Sequence, residues 1–549
     1  MSNGRAVMMG SRLLPALLLA IFAVLSLTSA VRKSATWDET MYLGLGAYLL
    51  ENRTWDVPAA SLQPPLSYYL HSLPLLFCDM HRACFKRGEV RDLAAAVERG
   101  QCLMTRSSPP GDRLLLLARL PSVLLGMLLG YGVFTWASRL YGRRAGIFSL
   151  LLFCLSPNIL AHSRLITADI SLTTFGFLSV YLFWANARSA SLLKILLCGL
   201  CLGLALLSKH AGLLWVPILA VFSVWNALAG DSKSPSRTGS PWKGSPILTL
   251  GAVVAIAFFT LFLGYGFRGS VYTDSLLIQK GIVGEGFPAF LNGNVSGKGG
   301  WWYYYLFAFF MKTPVPLLAL FAGGVAMLFR SSDPGDGFSD LCLVLPAVVF
   351  FGVFSFFTRL NVGLRYILPV FPFLMVLSGR LVRFALQRRL PWKVALVVLL
   401  TWYGGECLFI HPHYLAYFNQ FAGGPKNGYR HLVDSNLDWG QDLKGLRAYL
   451  DRRGMDRVIL SYFGSADPSW YGISYAALPS FIRLPPPQRP YSGVRPGDIL
   501  AVSATNLYPL YVDLGPLSEY LRKTNPVDQV GYSILIYEIP APGKGAAEP

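Results

Sequence analysis

The chain reads as a polytopic α-helical membrane protein with a small α/β domain at its C-terminal end. Composition carries the first half of that reading. Of 549 residues, 53% are hydrophobic and only 14% are charged, and the mean hydropathy is +0.45. A soluble domain has roughly a quarter of its residues charged. Distribution carries the second half. The apolar residues gather into runs of membrane-spanning length, whereas His411 to Pro549 is more polar and broken by turn residues into short β-forming stretches.

A bilayer core takes about 20 apolar residues in one helix. On that measure spans fall near 13–30, 114–137, 146–161, 170–187, 192–208, 211–228, 247–267, 303–329, 340–357, 366–379 and 394–410, about eleven in all. The 192–228 region divides least cleanly. Arg5 and Arg12 before the first run, with Thr28-Ser29-Ala30 after it, have the outline of a secretory signal. The run is nearly of full spanning length, and it is read as an uncleaved first span.

Orientation follows from basic residues in short loops. Arg139, Arg143 and Arg144 join the second and third spans, and Arg188 and Lys194 the fourth and fifth. Lys233, Arg237 and Lys243 follow the sixth, Arg330 the eighth, and Arg380, Arg383, Arg388, Arg389 and Lys393 the tenth. Every second loop is basic, on the side of the N-terminus, which is therefore expected to be cytoplasmic. Much of the net charge of +19 lies in these loops, so it does not indicate a nucleic-acid partner. The expected location is the inner (plasma) membrane, multi-pass, with the C-terminal domain extracytoplasmic.

The opposite side carries the long first loop (31–113), the turn from His162 to Asp169, the stretch 268–302, the turn 358–365 and everything after about 411. Val90 to Arg99 mixes apolar and charged residues at helical spacing, as an interfacial helix would. Trp301-Trp302-Tyr303-Tyr304-Tyr305 fits an aromatic belt at the membrane interface; a face for an apolar or sugar-bearing ligand is the alternative. In the tail, 457–463, 498–503 and 532–538 read as strands. Asp438 to Gln441 reads as a capping box for a helix running to about Asp451. The residues from Ala541 onward read as a disordered end. Asp434-x-Asn436-x-Asp438 has the opening of a calcium loop, but Trp439 and Gly445 stand where that loop needs Gly and Glu.

Cys154, Cys198, Cys201, Cys342 and Cys407 lie in apolar runs, as small buried hydrophobes do. Cys78, Cys84 and Cys102 share the first loop; one disulfide among the three is expected there, its pairing open. No paired CxxC metal spacing occurs.

Charges at membrane depth are costly, about 2.5–3.5 kcal/mol each on insertion scales, and call for a function. Here they fall on one side. Asp38 and Glu39 follow the first span, and Arg164 and Asp169 lie between the third and fourth. Lys209 and His210 interrupt the fifth and sixth, Lys312 precedes Thr313-Pro314, and Arg365 opens the tenth. Such a set suits a lipid-linked phosphate donor in the outer leaflet. Lys and Arg would hold the phosphate and stabilise it as a leaving group, and a carboxylate would take a proton from an incoming hydroxyl. A transporter or lipid flippase lined by the same groups is the alternative, and a scaffold acting through its tail is a third.

At these residues the sequence resembles a known family. Trp37-Asp38-Glu39 with Tyr42-x-x-x-Gly46, Gln63-Pro64-Pro65-Leu66 and Ser163-Arg164-Leu165-Ile166-Thr167-Ala168-Asp169 carry the likeness. So do Leu207-Ser208-Lys209-His210-Ala211-Gly212, Lys312-Thr313-Pro314-Val315-Pro316 and Gly363-Leu364-Arg365-Tyr366-Ile367-Leu368-Pro369. They are similar to the bacterial protein O-mannosyltransferase-like and aminoarabinose-transferase-like enzymes, lipid-carrier-dependent glycosyltransferases of the GT-C class. Tyr417 to Asp442 is similar to a segment of one bacterial branch. The resemblance implies a GT-C-like membrane domain over 1–410 and an extracytoplasmic α/β domain over 411–549. It implies inverting transfer of a hexosyl or pentosyl group from a polyprenyl-phosphate donor to an acceptor protein, lipid A or glycan. Asp38 would be the general base with Glu39 beside it, and Asp169 a second acid or, where one is used, a ligand of a divalent metal. Lys209, Lys312 and Arg365 would face the phosphate, with Gln63, Arg164 and His210 in the substrate site. Gln63 stands where relatives often have a basic residue or His, and the charged segment 79–112 has no counterpart in the resemblance.

Overall fold

The computed structural model describes residues 2–53, 62–79, 84, 90, 92–108, 111–228, 245–330, 337–388, 390–481 and 494–540, with side chains described from Leu13 onward. Among these, seven helices are long and apolar enough to cross a membrane: Leu13–Arg32, Gly111–Tyr141, Asp169–Arg188, His210–Leu228, Pro246–Gly264, Gly337–Phe356 and Leu390–Ile410. A bent pair, Tyr304–Lys312 and Val315–Arg330, brings the number to eight if it counts as one span. The chain is a multi-pass membrane protein.

The difference from about eleven spans has local causes. The expected span at 146–161 is two pieces, Arg143–Cys154 and Pro157–His162. Ser156 caps the second by accepting from the Ile159 N–H, and Pro157 occupies its first turn, where a missing N–H costs nothing. The 192–208 segment is a helix of 17 residues, and 366–379 contains a helix of only nine, Val370–Ser378. The pair around Thr313-Pro314 bends by 116°. Thr313 is extended, with φ −98° and ψ 130°, because the proline ring after it disfavours a helical backbone. Lys233, Arg237, Lys243 and Arg389 of the basic loops, and the tail beyond Pro540, lie outside the described residues.

The first loop is a folded platform. α1 (Ser2–Arg32) leads into α2 (Trp37–Asn52), α3 (Leu66–Ser72) and α4 (Leu93–Arg106). The segment expected as an interfacial helix begins α4, but α4 packs on α2 instead of lying free. The two helices meet backbone to backbone through glycine. A Cβ on Gly100 would stand 1.9 Å from the Thr40 carbonyl oxygen, and one on Gly44 2.0 Å from that of Ala96. Asp92 caps α4 by accepting from the Ala95 N–H at 2.8 Å. Buried Arg99 donates to the Cys84 carbonyl at 3.1 Å and lies over the Tyr48 ring. Cys84 and Cys102 form the disulfide, leaving Cys78 free.

The tail is stitched to the exit of α1. Ser34 N–H donates to the Gln441 carbonyl at 3.0 Å and Trp37 N–H to that of Trp439 at 2.8 Å. Ser29 donates to the Pro412 carbonyl, and Lys33 pairs with Asp442. Beyond this seam lies a mixed sheet. A two-stranded hairpin, β1 (Ala289–Leu291) and β2 (Asn294–Ser296), precedes it in the chain. The sheet itself is β3 (Val458–Ser461), β4 (Tyr475–Ala477), β5 (Ile499–Ser503), β6 (Asp528–Val530) and β7 (Ile534–Glu538). Its order is β4-β3-β5-β7-β6, parallel across the first three and antiparallel across the last three. Three of these strands lie within the β-rich runs of the sequence.

The expected capping box is not one. The helix starts at Leu443, and Asp438 turns inward, accepting from Thr505 N–H at 3.0 Å and Gly440 N–H at 3.4 Å. Gln441 caps its own turn, taking the Trp439 N–H and donating to the Leu437 carbonyl.

Candidate active site

The platform, the turn between the helices Pro157–His162 and Asp169–Arg188, the turn after Ser208 and the tail converge on one cavity of about 300 Å³. Its polar lining includes Asp38, Gln63, Asp169, Lys209, Arg365 and Asp434. The Arg365 guanidinium bridges the two distant acids, 3.0 Å from Asp38 and 3.8 Å from Asp169. Lys209 donates to the other Asp169 oxygen at 2.8 Å and lies 4.0 Å over the Tyr366 ring. Arg365 also stands over the Trp439 ring at 4.3 Å. Four expected site residues, from stretches up to 327 positions apart, thus share one charged cluster.

Electrostatics separates these groups. Burial pushes the Asp38 carboxyl above its ordinary range, and Arg365 beside it offsets that only in part. Burial disfavours a charged Arg365, but Asp38 and Asp169 outweigh it and raise its pKa further. Arg365 therefore stays a cation, while Asp38 can take up a proton nearer to neutrality than an exposed aspartate.

A second cavity of about 230 Å³ adjoins the first, sharing Gln63, Lys209, Gln279, Leu360 and Tyr366. The rest of its lining is largely apolar, with His210, Lys280 and Thr358 as exceptions. His210 Nε2 is 2.8 Å from Ser275 Oγ and its ring stacks on Tyr272. A chamber holding the charged cluster thus adjoins a more apolar one, and Lys209 lines both.

Glu39, Arg164 and Lys312 line neither cavity. Glu39 is fully engaged elsewhere. Arg119 donates to both its oxygens, at 2.8 and 2.6 Å, and Thr36 and Ile166 N–H groups add bonds of 2.8 and 3.1 Å. Burial would raise its pKa, but the Arg119 charge prevails and holds it lowered. Arg119 is itself satisfied by the carbonyls of Ala30, Lys33 and Ser34, so the pair locks the turn that presents Asp38. Lys312 donates to the carbonyls of Leu415, Tyr417 and Asn436 at 2.9, 2.9 and 2.5 Å. An ammonium has three donors, and all are used to hold the tail. Arg164 is buried, and among the described residues its guanidinium nitrogens have no hydrogen-bond partner.

The residues present do not fit a divalent cation at Asp169. Both its oxygens face cations, and among the described residues no group of three His, Cys, Asp or Glu could hold a metal. Magnesium or calcium needs several oxygen ligands.

The sequence did not point to Arg119, whose partner lies 80 residues away. Nor did it point to Trp439, Phe463, Phe481 and Tyr511, which the tail adds to the cavity wall; the only signal was the unusual density of Asp434 to Asp442.

Comparison with known proteins finds a likeness over part of this cluster. Residues 112–265 match the model of the family described as dolichyl-phosphate-mannose-protein mannosyltransferase. The matched segment holds Arg119, Arg164, Asp169, Lys209 and His210, in agreement with the resemblance read from the sequence. Asp38, Lys312 and Arg365 lie outside it. No curated protein sequence matches the chain. Among solved structures, the chain is similar to ArnT from Cupriavidus metallidurans bound to undecaprenyl phosphate, at 12% identity and a TM-score of 0.44, covering 95% of this chain and 97% of that one. It is also similar to the Archaeoglobus fulgidus oligosaccharyltransferase (15%, 0.44, covering 72% and 52%) and to the S. cerevisiae Pmt1-Pmt2 complex bound to the sugar donor (22%, 0.36, covering 49% and 34%).

Proposed function

We propose that this protein is a membrane glycosyltransferase. It moves a hexosyl or pentosyl group from a polyprenyl-phosphate donor to a hydroxyl of a protein, lipid A or another glycan. One observation carries the reading: two carboxylates and two cations cluster in one cavity, and one of the cations, Lys209, also lines an adjoining apolar cavity. The isoprenoid chain lies in the apolar chamber, and its phosphate reaches Lys209 and Arg365. Asp38 accepts the proton of the incoming hydroxyl. The acceptor oxygen bonds to the anomeric carbon, the bond from that carbon to the phosphate oxygen breaks, and polyprenyl phosphate departs with its charge held by the cations. A single displacement of this kind inverts the anomeric centre. Asp169 orients Lys209 and Arg365.

The reaction is assigned to the extracytoplasmic face of the inner membrane. The alternation of basic loops supports that side, and so does a disulfide in the platform, since disulfides persist in oxidising compartments.

Purified protein in nanodiscs should bind undecaprenyl phosphate, and Lys209→Ala should weaken that binding about tenfold or more. Asp38→Asn should still bind the lipid. Equal affinity in wild type and Lys209→Ala would refute the placement of the phosphate.

A further inference from the structure

The tail's contribution to the chamber with the charged cluster is mostly aromatic. Phe481 lies with its ring centroid 6.1 Å from Trp37 and 5.0 Å from Tyr511, and Tyr511 stacks on Phe463 at 5.5 Å and 4°. Phe481 is 44% exposed although it lines a cavity between two parts of the chain. Beside these rings stands Asp434. Its backbone has φ +56°, a left-handed value uncommon outside glycine. Its carboxylate accepts from Tyr511 Oη at 2.6 Å and from the Ser435 N–H, and its own N–H donates to Thr505 at 3.0 Å. Three independent bonds thus hold this residue in an uncommon conformation with its carboxylate at the wall. Burial raises its pKa, offset in part by Tyr511 and Arg365.

Among the described residues, three polar atoms on side chains lining the chamber have no hydrogen-bond partner: Trp37 Nε1, Gln63 Oε1 and Arg365 Nε. Two are donors and one is an acceptor. Buried polar groups are normally paired. A ligand suited to this wall offers both donors and acceptors, and an apolar face for the rings. A sugar does. Its hydroxyls donate and accept, and the C–H groups on one ring face are slightly positive where an aromatic face is negative.

We propose that the C-terminal segment forms the subsite for the transferred sugar, and so reads sugar identity. The sugar ring packs against Phe481 and Tyr511, and its hydroxyls reach Asp434. This inference rests on the polyprenyl-phosphate reading above and adds to it a division of labour. Lys209 and Arg365 bind what every donor shares, and the tail binds what distinguishes one donor from another.

The test compares affinities of the full-length protein in nanodiscs for bare undecaprenyl phosphate and for the same lipid carrying mannose, glucose or arabinose. Wild type should bind at least one sugar-bearing lipid about tenfold more tightly than the bare lipid. Phe481→Ala and Asp434→Asn should each remove most of that preference while binding the bare lipid no more weakly than wild type. Thermal unfolding checks that each variant is folded, and if one is not, the other decides. A preference that survives in the folded variants would overturn the inference, and so would a wild type with no preference. If wild type binds no lipid at all, the donor reading itself fails and this subsite with it. Bare-lipid binding without tail-dependent preference overturns the subsite alone.

Discussion

Asp38 and Glu39 are neighbours in the chain and opposites in the structure. Successive residues on a helix point in different directions, and α2 sends one acid to the chamber and the other into the protein. Glu39 is fully buried and meets Arg119 and two backbone N–H groups. Among the described residues Asp38 bonds to Arg365 alone, and it lines the chamber. Charge at membrane depth therefore has two uses here. A saturated ion pair fixes a turn, and an under-bonded acid is left free to exchange a proton. The ion pair supports the acid, because Glu39 and Arg119 hold the turn from which Asp38 projects.

The largest effect should come from breaking the saturated side. Arg119→Met strands a buried carboxylate and should cost about 3–5 kcal/mol of stability, seen as a lower thermal midpoint in detergent. Next comes the platform. Gly100→Ala would drive a methyl group toward the Thr40 carbonyl, 1.9 Å away. Overpacking of this kind costs about 1–3 kcal/mol. Because Thr40 is two residues from Asp38, turnover should fall as well, which a matched activity assay and melting curve would detect.

A smaller effect belongs to a third acid. Burial raises the Asp438 carboxyl to about 7, and hydrogen bonds from Thr505 and Gly440 only partly oppose it. A carboxyl raised on folding binds more protons in the native state than in the unfolded one. Its protonated form favours the fold at low pH, and that contribution is lost as pH rises from the ordinary carboxyl range through about 7. The stability difference between wild type and Asp438→Asn should therefore change across this window and level off above it. Melting both proteins from acid to mildly alkaline pH would show this; a constant difference would contradict it.

Much of this was legible in the sequence because it is written locally. Runs of apolar residues reveal spans, and β-branched runs revealed three strands of the tail. Asp38, Asp169, Lys209 and Arg365 stood out because charge beside apolar runs is conspicuous. What remained hidden depends on distant partners. Nothing near Glu39 indicates that Arg119 will saturate it. Lys312 looked like a phosphate contact until its three donors were seen on tail carbonyls. Cys84 and Cys102 were two of three candidates, and only packing of α4 selected them. Hydropathy does not register where a chain turns, so the apolar run 366–379 does not reveal that its helix is only the nine residues Val370–Ser378. The aromatic wall was least visible of all, since Phe463, Phe481 and Tyr511 are ordinary core residues in composition and become a surface only against Trp37.

The most direct test places the two isosteric substitutions side by side. Asp38→Asn and Glu39→Gln, purified alike, would each be measured for thermal midpoint and for release of polyprenyl phosphate from a sugar-bearing donor. Asp38→Asn should melt close to wild type and lose turnover by about 10²–10⁴, the range expected for a general base. Glu39→Gln should melt well below wild type and, where still folded, keep most of its turnover per folded molecule. The reverse pattern, with Asp38→Asn active and Glu39→Gln stable but inert, would contradict the assignment of chemistry to one acid and architecture to the other.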